Sequence, residues 1–207
     1  MKLIKFQALS KLYILAGAAA IAGVVVFSGC GKEKTASAEN AETAAATEQS
    51  PVERGKYLVN AVGGCNDCHT PWKMGPKGPE PDMSLMLSGH PEKMVMPPAP
   101  KLDMPWLLSA GATMTAWAGP WGVSYSANLT PDSTGLGTWD ETIFMLAIRN
   151  GKHIGNGRPI LPPMPWEMLK NMTDDDLKAI FAYLKTIPPI KNKVPEPIMA
   201  APPTAMK

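Results

Sequence analysis

Cys65-Asn66-Asp67-Cys68-His69 is the stretch on which the reading of this 207-residue chain turns. It is a C-x-x-C-H run, the attachment signature of c-type haem. Two thiols three positions apart share one side of a tight turn, where each can add across a haem vinyl group. The histidine that follows offers its imidazole to the iron as the proximal ligand. The spacing predicts one covalently held haem c, with Cys65 and Cys68 as the linkages and His69 as a metal ligand. Other readings account for less. Zinc needs four ligands, usually from two such pairs, and the one remaining cysteine is Cys30. A thioredoxin-like pair expects a βαβ setting, which the flanking sequence lacks. A disulfide leaves His69 without a role.

Ahead of the motif, Lys2, Lys5 and Lys11 are the only charges before Cys30, and an apolar run extends from Leu12 to Phe27. A basic start, an apolar stretch and small residues at its end form an export signal. The run is short for a membrane span, which takes ~20 apolar residues. Ser28-Gly29-Cys30 resembles a bacterial lipobox, although Phe27 stands where Leu or Val is usual. Residues 1–29 are therefore expected to be a lipoprotein signal, with Cys30 lipidated and the protein periplasmic or otherwise extracytoplasmic, held to a membrane. An ordinary signal peptide and an uncleaved anchor are the alternatives, and each exports the rest. Loss of three lysines takes the formal charge from +2 to −1, which gives no nucleic-acid footprint. Residues 30–50 lack any large apolar side chain and are expected to form a solvated linker, spanning on the order of 25 Å as a coil. Residues 191–207 are proline-rich and are expected to form an extended tail.

Residues 51–190 are left as one domain. Ser50-Pro51-Val52-Glu53 is a capping box with proline at the first helical position; the helix it opens is expected to turn Tyr57, Leu58, Ala61 and Val62 inward and to stop at Gly63-Gly64. Thr138-Trp139-Asp140-Glu141 opens a second helix through Phe144, Ala147 and Ile148, ending at Asn150-Gly151. Thr173-Asp174-Asp175-Asp176 caps a third, with Leu177, Ile180, Phe181, Leu184 and Ile187 at helical spacing. No segment alternates convincingly as a strand. The fold class expected is all-α, with a long irregular insertion over 78–126.

With these elements in order, the chain resembles the class I c-type cytochromes. In that family three main helices surround a covalently bound haem, and the first and last cross at a glycine and an aromatic. Gly55 and Tyr183 stand in the matching places. The resemblance is closer to the cytochrome c subunits that serve exported alcohol- and aldehyde-type dehydrogenases. It is carried by Cys68-His69-Thr70-Pro71, Leu87-Ser88-Gly89, Asn128-Leu129-Thr130-Pro131-Asp132, Thr134-Gly135-Leu136-Gly137-Thr138-Trp139 and Pro163-Met164-Pro165-Trp166. Those relatives often carry several haem domains; this chain has a single C-x-x-C-H.

The resemblance places the sixth iron ligand at Met164, in the proline-fixed loop Leu161-Pro162-Pro163-Met164-Pro165. With 14 methionines in the chain, a packing role is the bland alternative. Met168, Met172, His90, His153 and an open position are the other choices. The family also suggests Pro76 as the carbonyl holding the proximal imidazole N–H. Arg158 and Arg149 are candidates for pairing with haem propionates, and ordinary solvated arginines are the equal alternative. Trp139 and Trp166 flank the haem-lining segments of the resemblance, whereas Tyr125 and Asn128 read equally well as loop packing. The insertion is expected to pack over one side of the haem. A copper site from Met83, Met86, Met94, Met96 and His90 suits soft ligands but has no site pattern.

His/Met ligation raises the potential and leaves no position for substrate. The expected function is an exported, membrane-tethered monohaem cytochrome c that carries single electrons between redox proteins and is not an enzyme by itself. One alternative is a tightly bound electron-transfer subunit of an exported dehydrogenase or oxidase. Another is a haem sensor or peroxidase with an open sixth position.

Overall fold

A computed structural model describes residues 49–200. The expected signal 1–29, Cys30, nearly all of the linker and the tail beyond residue 200 lie outside the described residues. The domain is built on two helices that cross. Helix α1 (Pro51–Tyr57) starts at Ser50, whose hydroxyl accepts from the Glu53 N–H while the Glu53 carboxylate takes the Ser50 N–H. It runs on into a π-turn over Leu58–Val62. Leu58 and Val59 face the core, whereas Tyr57, Ala61 and Val62 are exposed. The expected inward face is corrected at those three residues: the π-turn adds a residue to the repeat ahead of Ala61 and Val62, and Tyr57, before it, lies on the exposed side of α1.

After α2 (Cys65–His69) come two hairpin strands, β1 (Trp72–Gly75) and β2 (Gly78–Pro81). Then β3 (Ser109–Ala110), β4 (Ala116–Gly119) and β5 (Gly122–Tyr125) precede α3 (Glu141–Asn150), the single turn α4 (Trp166–Leu169), α5 (Asp174–Leu184) and β6 (Ile198–Met199). Strands β3-β4-β5-β6 form one antiparallel sheet, with Trp117 opposite Ser124 and Val123 opposite Ile198. Sequence reading expected no strand in these places. Each is two to four residues long, too short to show alternation. The cap of α3 also lies later than expected: Asp140, not Thr138, accepts from the Ile143 N–H at 2.7 Å. Gly151 ends that helix in the left-handed region.

Helix α5 begins at Thr173, whose hydroxyl accepts from the Asp176 N–H at 3.1 Å, and it crosses α1. The contact forms because Gly55 has no side chain: a Cβ there would fall 1.9 Å from the Ala179 carbonyl oxygen. Arg54 Nε and Asp176 Oδ1, at 2.8 Å, tie the helices at the rim. Below the crossing, Leu58, Val59, Leu136, Phe144, Ile148, Leu177, Ile180, Phe181 and Leu184 make one buried cluster, with Phe144 and Phe181 ring centroids 5.2 Å apart. Among the described residues no helix is long and apolar enough to cross a membrane.

The described part of the proline-rich tail, residues 191–200, is without helix and is docked on the domain. Asn192 is buried and donates to the Ser88 and His90 carbonyls at 2.6 and 2.9 Å. Its side-chain oxygen accepts from the Glu92 N–H at 2.8 Å. Asn192→Ala is expected to cost about 3 kcal/mol, since each polar group left without its partner costs about 1–3 kcal/mol. An unchanged urea midpoint in that variant would show that the tail does not belong to the cooperative unit.

Candidate haem site

The one-turn helix α2 presents Cys65, Cys68 and His69. Gly64 leads into it at φ +57°, a conformation that glycine adopts without a Cβ penalty. A residue in that region lets the chain double back from the π-turn so that the next turn starts at once. Cys65 and Cys68, three apart on a helical turn, lie on one face. Burial pushes the Cys65 thiol up to about 11 and moves Cys68 upward as well. These are protonated, half-buried thiols, unlike the depressed thiol of a redox dithiol pair. Among the described residues no three His, Cys, Asp or Glu side chains converge as a metal site.

His69 is 8 % exposed, and its Nδ1 lies 2.8 Å from the Ala127 carbonyl oxygen. A carbonyl only accepts, so Nδ1 carries the proton and Nε2 keeps its lone pair free for a metal. Burial holds the imidazole below its ordinary pKa, more than the Ala127 bond raises it. Neutral imidazole is the form that ligates. The backbone around it is fixed by the segments singled out in the sequence: Gly89 N–H donates to the His69 carbonyl at 2.8 Å, His90 N–H to Ser126, and Leu129 N–H to Leu87. Thr70 Oγ1 accepts from the Leu87 N–H at 2.9 Å. Asn128 is a loop hub: its oxygen accepts from the Thr130 N–H and hydroxyl, and its amide donates to the Ile190 carbonyl.

In front of His69 opens a cavity of about 490 Å³. Cys68 and His69 line it, as does Met164. Leu136, Phe144, Ile148 and Ile160 supply apolar wall, and Trp139 and Tyr125 supply aromatic wall. Arg158, Lys193 and Glu196 also line it, and Arg158 Nε lies 3.3 Å from Glu196. Tail residues 193–197 thus form part of the wall, a contribution the sequence reading missed because a proline-rich run shows no apolar period. Trp117 lines the cavity too, and its buried indole N–H has no protein acceptor; such an N–H costs about 1–3 kcal/mol unless a bound group supplies one. A larger, shallower groove of about 910 Å³ beside Glu53, Lys56 and Tyr183 holds no cysteine or histidine.

A thiol and an imidazole at one wall, a thioether at the same cavity and an apolar lining make a donor set that fits haem c. Cys65 packs against the core instead of lining the cavity, one turn before Cys68. Pro76 sits at the exposed tip of the β1–β2 hairpin, and the Ala127 carbonyl takes the positioning role expected of it. A backbone acceptor 58 residues away leaves no mark in side-chain patterns. Of the other choices opposite His69, His153 lines the cavity and packs edge-on to Trp139 at 5.4 Å. His90 is fully buried against Thr115, Met94 and Tyr125, and Met168 is 73 % exposed. Met172 packs on the core. Arg149 bonds the Lys170 carbonyl and Asp174, away from the cavity.

No family model matches the chain. It is 38 % identical over 77 residues to one of the subunits of the nicotinate dehydrogenase of Pseudomonas putida, covering 37 % of this chain and 6 % of that protein. It is 32 % identical over 133 residues to the gluconate 2-dehydrogenase cytochrome c subunit of Pantoea cypripedii, covering 64 % and 22 %. The fructose dehydrogenase cytochrome subunit of Gluconobacter japonicus is 27 % identical over 145 residues, covering 70 % and 23 %. The chain spans less than a quarter of the length of each of these three relatives. Its relatives thus include cytochrome c subunits of dehydrogenases, at modest identity.

Proposed function

We propose that this chain is an exported monohaem cytochrome c with a class I fold, which carries single electrons as the partner or subunit of an exported dehydrogenase. The observation that carries the reading is the cavity shared by Cys68, His69 and Met164, with His69 Nδ1 already engaged by Ala127. Bound haem supplies the reversible one-electron iron couple. The chain's own residues do the rest. Cys65 and Cys68 hold the group covalently, and His69 presents Nε2 in a fixed tautomer and orientation. Met164 would supply a soft neutral donor, which favours the reduced metal and would leave the iron no room for substrate. The apolar wall keeps water from the site and raises the potential further. Arg158 and Lys193, exposed on the cavity lining, would offer positive charge to the haem propionates.

No bond-making step is required of any residue, so the chain is not an enzyme by itself. The names of its relatives favour the subunit arrangement over free diffusion between partners. The basic, then apolar amino terminus supports export, and Ser28-Gly29-Cys30 supports lipid anchoring at Cys30.

The test is the ferric spectrum of the mature protein, made in a host competent for haem attachment, with and without Met164→Ala. The native protein is expected to show the weak red charge-transfer band of methionine-ligated haem. The variant is expected to lose it and to bind CO rapidly once reduced. Rapid CO binding by the native protein would instead support a sensor or peroxidase. Co-purification with a flavin- or quinone-containing dehydrogenase subunit tests the partner.

A further inference from the structure

Strands β4 and β5 belong to the long insertion, yet their hairpin touches the loop that carries Met164. Ser124 on β5 is 7 % exposed. Its hydroxyl donates to the Pro162 carbonyl at 2.6 Å, two residues before the methionine. The Trp117 carbonyl is a second acceptor at 3.5 Å, too long to compete for the single proton. Trp121 Nε1 donates to the Ser124 oxygen at 3.3 Å, occupying a lone pair and leaving the proton aimed at Pro162. Trp117, Ser124, Pro162 and Met164 all line the cavity. Among the described residues, the one other hydrogen bond made by the 161–164 segment is internal to it, from the Met164 N–H to the Leu161 carbonyl at 3.3 Å. A proline-rich loop has few N–H groups of its own, and among the described residues the Ser124 hydroxyl supplies the one hydrogen bond between this segment and the rest of the fold.

We infer that Ser124 is a positioning residue for Met164: the Trp121–Ser124–Pro162 relay fixes the methionine loop and so sets how tightly the thioether holds the sixth position. This rests on Met164 being the ligand, as proposed above. Without the hydroxyl, the Pro162 carbonyl is left unpartnered while the loop is closed and finds water once it opens. The missing bond therefore favours the detached state, by about tenfold for one buried hydrogen bond.

The experiment measures imidazole binding to the ferric holoprotein, where imidazole competes with the internal ligand. It is paired with the red band and the midpoint potential. Ser124→Ala is expected to bind imidazole about tenfold more tightly, with a lower potential and a weaker band. Ser124→Thr keeps a hydroxyl and is expected to return toward the native values. Trp121→Phe is expected to shift binding in the same direction by a smaller factor, and it carries the test if Ser124→Ala does not accumulate with haem. Native imidazole binding in both Ser124→Ala and Trp121→Phe, with the band intact, overturns the inference. A native protein without the band, unaltered by Met164→Ala, overturns the ligand assignment itself, and that result is read before any Ser124 variant is made.

Discussion

Gly55→Ala is expected to destabilise the protein by about 3 kcal/mol, and Gly55→Val to prevent accumulation of folded material. Two effects oppose each other at this position. Alanine in a helix gains about 1 kcal/mol over glycine, so an uncrowded site would become more stable. Here the new Cβ meets the Ala179 carbonyl oxygen at 1.9 Å, its carbon at 2.5 Å and the Tyr183 Cβ at 2.8 Å. Two of those atoms are backbone of α5 and cannot rotate away. Relief requires α1 and α5 to separate, which opens the packing of Leu58 and Val59 on Leu177, Ile180 and Leu184. The clash therefore outweighs the propensity gain. It also reaches the haem motif, because α1 runs through the π-turn directly into α2. Urea unfolding of the holoprotein gives the measure. A Gly55→Ala midpoint equal to or above the native one would mean that the helices do not cross at this point.

What could be read beforehand divides along a physical line. Side chains that act on their own neighbourhood were legible: Ser50 and Thr173 at their caps, Gly151 at the end of α3, and the cysteine spacing of α2. Met164 was singled out by the prolines around it and by the resemblance; the structure puts it on the lining of the cavity that His69 and Cys68 share, in a turn closed by its own N–H on the Leu161 carbonyl. Groups that act across the fold were not. The Ala127 carbonyl holding His69 is a backbone atom, and the methyl beside it carries no trace of the role. Ser124 looks like any strand serine until its Pro162 partner is placed opposite. Asn192 sits in a run without apolar period, and its three bonds reach residues about 100 positions earlier. The strands were hidden for a different reason: β3 and β6 are two-residue strands ordered only by register with β4 and β5, and the glycines and prolines at the ends of β1, β2, β4 and β5 read as loop. In the π-turn, one extra residue was enough to turn Ala61 and Val62 out to solvent.

Cys65→Ala combined with Cys68→Ala is expected to remove haem from the denatured chain entirely and to lower yield of the folded protein by an order of magnitude or more. The first effect is chemical, since both thioethers are lost. The second follows from the size of the space that haem is proposed to fill. Buried cavity costs about 24 cal/mol per Å³ in protein cores. For about 490 Å³ the limit is ~12 kcal/mol, comparable to the whole stability of a domain, about 5–15 kcal/mol. Water entering by the charged mouth at Arg158, Lys193 and Glu196 reduces that figure, but Leu136, Phe144 and Ile148 remain wetted. A ligand that binds only the folded chain stabilises it by mass action, and a covalent link makes that stabilisation independent of free haem. The single variant Cys68→Ala keeps one linkage and is expected to retain colour at reduced yield, with haem still attached after acid-acetone extraction. Haem staining on denaturing gels and urea unfolding of the purified variants are the measurements. A double variant that folds with native stability and no haem would show that the cavity wall closes by itself, and that C-x-x-C-H serves some other chemistry here.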